Sequence, residues 1–97
     1  MRIIARRILR EFCTDHPDAK PALDAWWNAT SRSQWASPSE LTLHNRNARA
    51  LGENRVVFKV KGNHYRLIVK VHYDSGIMYI RFIGTHAEYD RIDAHTI

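Results

Sequence analysis

The second half of this sequence gathers the side chains needed to hold a polyanion and move protons. Arg55, Lys59, Lys61, His64, Arg66, Lys70, His72, Tyr79 and Arg81 recur with a two-residue rhythm, and His86 and Tyr89 follow closely. Guanidinium and ammonium groups meet phosphate oxygens, while imidazole and phenol rings stack on bases. An imidazole or a phenol can also transfer protons. Together these residue types suit RNA as a ligand, and His86 and Tyr89 add a possible acid or base.

Positioning them requires a sheet. Val56, Phe58 and Val60 alternate with Arg55, Lys59 and Lys61. Tyr65, Leu67, Val69, Val71 and Tyr73 alternate with His64, Arg66, Ile68, Lys70 and His72. Met78, Ile80 and Phe82 alternate with Ile77, Tyr79, Arg81 and Ile83. Three half-buried strands follow, with Gly62-Asn63 and Ser75-Gly76 as hairpin turns. Two-residue turns would set Lys59 opposite Arg66, Lys61 opposite His64, Lys70 opposite Arg81 and His72 opposite Tyr79. One sheet face is then apolar. The other carries a row of Arg55, Lys70 and Arg81, and the next row but one holds Lys59, Arg66 and Thr85. Like charges directly opposite destabilise a sheet, so an anion over this face accounts for them better than bare solvation. Arg66 and Arg81 share this outward face, so removing either should hardly change stability.

The first half reads as helical. Met1–Ile4 could form a short strand. Ile4, Ile8 and Phe12 recur at helical spacing until His16-Pro17 stops the run. Asp18 is a candidate N-cap for a second helix, on which Leu23, Trp26, Trp27 and Thr30 share a face. Ser37-Pro38-Ser39-Glu40 has the form of a capping box before a short third helix through Leu43. Residues 44–54 read as a polar loop. Thr85-His86-Ala87-Glu88 repeats the capping pattern, placing His86 in the first turn of a C-terminal helix beside the Lys59–Arg66 end of the sheet. The positive end of that helix disfavours imidazolium and leaves a ring able to accept a proton. Tyr89 and Asp90 fall on the same side.

Composition sets bounds. The chain has 97 residues, a net charge of +5 and 44% hydrophobic residues, room for one domain spanning 1–97 with one modest core. The basic excess favours an anionic partner. No apolar run approaches the ~20 residues of a membrane span, and Arg2, Arg6 and Arg7 interrupt the start too early for a secretory leader. The lone Cys13 offers neither an internal disulfide nor a thiolate cluster. The six histidines fall at 16, 44, 64, 72, 86 and 95, without metal-ligand spacing. A cytoplasmic protein without cofactor or metal is expected.

Two runs, Asn54–Ile68 (NRVVFKVKGNHYRLI) and Tyr79–Asp93 (YIRFIGTHAEYDRID), together with Ser37-Pro38, resemble the signature of HigB-type toxins in the wider RelE-like group. The likeness is specific from about residue 35 to 93 and looser before that. It implies an α+β fold: a RelE-like small domain with N-terminal helices packed on an antiparallel three- to four-stranded sheet and a short C-terminal helix. It also implies a metal-independent mRNA endonuclease acting on message in the ribosome. The implied partners are mRNA, the ribosome and a helix-turn-helix antitoxin of the HigA type, with operator DNA bound only through the antitoxin complex. Under that resemblance, a ribose 2′-OH would attack the adjacent phosphate. Arg66 and Arg81 would stabilise charge, His86 would transfer a proton, and Tyr89 would assist or stack. Lys59, Lys61 and Lys70 would hold the backbone. Two readings compete: a non-catalytic RNA- or ribosome-binding module, and a basic face that only receives an acidic protein segment.

Overall fold

A computed structural model describes residues 1–97. The elements run β1 (Arg2–Ile4), α1 (Arg6–Asp15), α2 (Lys20–Ser31), α3 (Pro38–His44), β2 (Ala48–Gly52), β3 (Arg55–Val60), β4 (Tyr65–His72), β5 (Ile77–Thr85) and α4 (His86–Tyr89). The five strands form one sheet in the order β1-β5-β4-β3-β2. β1 runs parallel to β5, and every other pair is antiparallel. This is the expected α+β arrangement with one strand more than the upper expectation.

That extra strand is β2, which occupies part of the stretch read as a loop. Ala48, Ala50 and Gly52 are poor strand formers, so local preference does not announce it. Pairing with β3 imposes the extended backbone, with Ala48 opposite Phe58 and Arg49 opposite Val57. At its head, the Asn47 side-chain amide donates to the Lys59 carbonyl at 2.9 Å, and the Lys59 N–H donates to the Asn47 carbonyl at 2.9 Å.

The first hairpin keeps the expected register, with Arg55 opposite Lys70 and Lys59 opposite Arg66. The second does not. Its loop is the four residues 73–76, so Lys70 faces Tyr79 and His72 faces Ile77. Gly76 allows this turn through a positive φ of 68°, and a Cβ there would sit 2.9 Å from the Gln34 side-chain nitrogen. A bulge at Arg81 then shifts the ladder, so Ile68 faces Phe82 and Arg66 faces Gly84. The row of Arg55, Lys70 and Arg81 therefore does not form.

Alternation makes one sheet face apolar. Val56, Phe58, Val60, Tyr65, Leu67, Val69, Val71, Met78 and Ile80 pack against Leu9, Leu23, Trp26 and Leu41 from the helices and Trp35 from the α2–α3 connection. Each large side chain fully buried there contributes about 1.5–3 kcal/mol. α1 stops before Pro17 as expected. Asp18 does not cap α2, whose N-cap is Ala19. Its carboxylate instead accepts from Lys61 Nζ at 2.8 Å and the Tyr65 hydroxyl at 2.6 Å, tying the helical layer to the sheet. These two hydrogen bonds hold the Asp18 carboxyl at about 2, below its ordinary 3.8, and the bond to Asp18 lifts the Tyr65 phenol to about 12.

The opposite face is not an open cationic plane. Val57 and Ile68 are buried there with Ala94, and Leu51, Phe82, Tyr89, Ile92 and Ile97 pack around them. The C-terminal segment thus seals a second, smaller core over the middle of this face. Its folding-back places Arg55 and Arg66 out of solvent, at 9% and 6% exposure, where solvated side chains were expected.

Candidate active site

α4 begins with the reciprocal cap that the sequence announces. Thr85 Oγ1 accepts from the Glu88 N–H at 3.1 Å, and Glu88 Oε1 accepts from the Thr85 N–H at 2.8 Å. The backbone hydrogen bond from Thr85 is the main cause of a lowered Glu88 pKa. The His86 N–H donates to the His64 carbonyl at 3.1 Å, which docks the helix start on the β3–β4 hairpin. These constraints set His86 beside the start of β4, next to Arg66.

Arg66 is the centre of the cluster. Its Nη1 donates to the carbonyls of Asn63 at 3.1 Å and Tyr65 at 3.2 Å. Its Nη2 donates to Asn63 Oδ1 at 2.6 Å and to His86 Nδ1 at 3.3 Å. The guanidinium carries no acceptor, so in that contact Nδ1 must be the acceptor and the ring proton lies on Nε2. Nε2 faces Asp90 Oδ2 at 3.5 Å. The Arg66 guanidinium also stands 5.9 Å from the centre of the Tyr89 ring, within cation–π range. Arg66, His86 and Tyr89, named separately from the sequence, are therefore neighbours, with Asp90 completing the group.

Beside them lies a groove of about 480 Å³ lined by Arg46, Asn47, Ala48, Arg49, Val57, Lys59, Arg66 and Tyr89. The positive charges of Arg46, Arg49, Lys59 and Arg66 converge on it without a lining carboxylate. Arg49 escaped the sequence reading because its strand did, and Arg46 because it lies in the turn that leads into that strand. The signal available was the pair itself: a strand carrying Arg49 opposite Val57 must share the face of Lys59 and Arg66.

Other residues singled out from the sequence lie elsewhere. Lys61 is paired with Asp18, and the His64 ring Nδ1 lies 2.9 Å from the Lys61 carbonyl in the same turn. Arg55 Nε donates to the Ile97 carbonyl at 3.0 Å, and its Nη1 lies 3.7 Å from Glu53 Oε2. Lys70, His72 and Tyr79 lie toward the far end of the sheet, where the His72 and Tyr79 rings meet edge to face at 5.2 Å. Arg81 is exposed at the bulge and makes no ion pair or side-chain hydrogen bond.

A second cavity, about 380 Å³, opens between α1 and α2 over Leu9, Cys13, Leu23 and Trp27, with Arg6 stacked 4.6 Å from the Trp27 ring. It offers apolar surface and no acid–base pair of the kind at His86. Burial is the main influence raising the Cys13 thiol pKa, which disfavours a nucleophilic thiolate. No three His, Cys, Asp or Glu side chains are grouped as metal ligands. No helix is long and apolar enough to cross a membrane.

Comparison with known proteins places this geometry in a context. The family described as HigB_toxin, RelE-like toxic component of a toxin-antitoxin system, matches residues 19–92. The chain is 30% identical over 93 residues to a protein of Escherichia coli K12 named mRNA interferase toxin HigB, covering 93% of this chain and 88% of that protein. A protein of Shigella flexneri named mRNA interferase HigB matches to the same extent.

Proposed function

Because this chain belongs to the HigB family of RelE-like toxins, we propose that it is an endoribonuclease that cuts mRNA through the ribose 2′-OH. The observation that carries the proposal is the contact of Arg66 Nη2 with His86 Nδ1 at 3.3 Å beside the basic groove. In the resting protein, Arg66 reserves an unprotonated nitrogen. A phosphate entering the groove is a stronger acceptor than Nδ1, so the 3.3 Å contact, the longest the guanidinium makes, gives way and Nδ1 is released to the 2′-OH. Nδ1 takes that proton as the 2′-oxygen attacks phosphorus, and Asp90 stabilises the imidazolium through Nε2–H. The pentacoordinate phosphorane gathers negative charge, which Arg66 and Lys59 oppose with little rearrangement. The P–O5′ bond breaks, the Tyr89 hydroxyl protonates the leaving oxygen, and solvent carries the His86 proton back to the phenolate. The products are a 2′,3′-cyclic phosphate and a 5′-hydroxyl. Arg46 and Arg49 hold flanking phosphates.

As a member of a toxin–antitoxin family, the chain has an antitoxin partner. We take that partner to be a helix-turn-helix protein of the HigA type, and operator DNA to be reached only through the complex. We place the reaction in the cytoplasm, on message held by the ribosome, which supplies the in-line geometry. The test is single-turnover cleavage of message on ribosomes assembled before the toxin and excess EDTA are added. Cleavage should persist, and one 2′-deoxy substitution at the cut site should stop it. Normal cleavage of the deoxy substrate refutes 2′-OH attack, and failure in EDTA refutes metal independence. Growth arrest without any cut message favours the non-catalytic module.

A further inference from the structure

The role given to Arg66 depends on how its guanidinium is oriented, and the orientation comes from a residue outside the groove. Asn63 lies in the β3–β4 turn. It receives both terminal nitrogens of Arg66: Nη2 on its side-chain Oδ1 at 2.6 Å and Nη1 on its main-chain carbonyl at 3.1 Å. The 2.6 Å bond is the shortest that Arg66 makes, well inside its 3.3 Å contact with His86. A two-point grip on a planar fork fixes both its position and its rotation. The remaining proton on Nη2 is thereby aimed at His86 Nδ1. Arg66 Nε makes no hydrogen bond within the chain, so a donor is left to meet an incoming anion without loosening the grip.

We propose that Asn63 is a positioning residue of the cleavage reaction: through Arg66 it selects the His86 tautomer whose Nδ1 carries no proton and can act as base once substrate arrives. This rests on the reading of His86 as the proton acceptor. The neighbouring turn residues do not share the role. The Lys61 side chain is committed to Asp18, and His64 reaches His86 only through its own carbonyl. Losing the Asn63 side chain leaves that carbonyl contact and the Thr85–Glu88 cap in place, so the start of α4 stays docked. Asn63 is exposed and has no positive φ, so alanine fits its backbone.

The experiment compares wild type, Asn63→Ala and Asn63→Asp. Long-range ¹H–¹⁵N spectra of the imidazole rings give the His86 tautomer, assigned by its loss in His86→Gln. Single-turnover cleavage on pre-assembled ribosomal complexes gives the rate, and substrate titration gives KM separately. Wild type should show His86 mainly with the proton on Nε2. Asn63→Ala should mix the tautomers and lower the maximal rate up to roughly a hundredfold, the scale of a misplacement of about 1 Å, with KM nearly unchanged. Asn63→Asp keeps an oxygen acceptor at the same reach and should restore both readouts. An Asn63→Ala protein with an unchanged tautomer overturns the proposal. So does a rate loss that only tracks a lower melting temperature, or a failure of aspartate to rescue. If His86→Gln cleaves at full rate while Asn63 still controls the tautomer, the functional reading fails instead, and the two failures remain distinct.

Discussion

Arg66→Ala should destabilise the fold as well as abolish cleavage. Were Arg66 a solvated surface cation, its loss would cost under ~0.5 kcal/mol. In the structure it is 6% exposed and donates four hydrogen bonds from its two terminal nitrogens. A hydrogen bond from a charged donor is worth about 1.5–3 kcal/mol. The values do not add here, because Asn63 is exposed and its oxygens regain water once the arginine is gone. The Tyr65 carbonyl sits on a buried residue and recovers less. A net loss of about 2–3 kcal/mol follows, equivalent to roughly 10–20 °C in melting temperature for a domain of this size. Urea unfolding of the purified toxin measures it directly. Arg66→Lys keeps the charge but lacks the second terminal nitrogen, which holds the Asn63 and Tyr65 carbonyls, so it should recover part of the stability and little of the rate. A cost below about 0.5 kcal/mol for Arg66→Ala would refute the anchoring argument. Full rate in Arg66→Lys would refute the need for a fork.

His86→Gln should lower the single-turnover rate by roughly 10²–10⁴-fold while ribosome and antitoxin binding hold, and a rate within about threefold of wild type would remove His86 from the mechanism. Arg46→Ala with Arg49→Ala should weaken substrate binding and flatten its salt dependence without changing melting, whereas Arg81→Ala at the bulge should do less; filter binding across a salt series separates them. Asp18→Asn should flatten the pH dependence of stability at both extremes. The lowered Asp18 value contributes stability above about 3.8 that is lost as pH falls toward about 2, and the raised Tyr65 value contributes stability below about 10 that is lost as pH rises toward about 12. Urea midpoints of the two proteins should therefore converge below pH 2 and above pH 12; a constant gap across the range would show that the pair is not coupled to folding.

Sequence reasoning reached the centre of the candidate site because two local signals determine it. The Gly62-Asn63 turn fixed the pairing of Lys59 with Arg66, and Thr85–Glu88 fixed the start of α4. Both are short-range, and their chemistry is written in the residues themselves. The errors came from tertiary context. A four-residue loop and a bulge, indistinguishable by composition from a tight Ser75-Gly76 turn, displaced Arg81 from Lys70. β2 is a strand only because β3 offers it a ladder, so Arg49 on it and Arg46 in the turn before it were passed over. The burial of Arg66 depends on residues 86–97 folding back over the sheet, which no periodicity in Arg66's own strand can report.

The parallel seam between β1 and β5 bears on the order in which this molecule assembles. Arg2 pairs with Ile77, across about three quarters of the chain. The antiparallel ladders join neighbours in sequence. Closing a long loop costs more entropy than closing a short hairpin, and non-local contacts dominate the kinetic barrier. The β2–β5 meander and α4 therefore have the lower-contact-order route to native pairing, and the β1 seam is the natural last step. Every side chain of the groove and of the Arg66–His86 cluster lies between residues 46 and 90. A folding chain can thus hold the candidate site in outline before its N-terminal strand docks, and a partner that grips the meander can meet the chain while it is still incomplete.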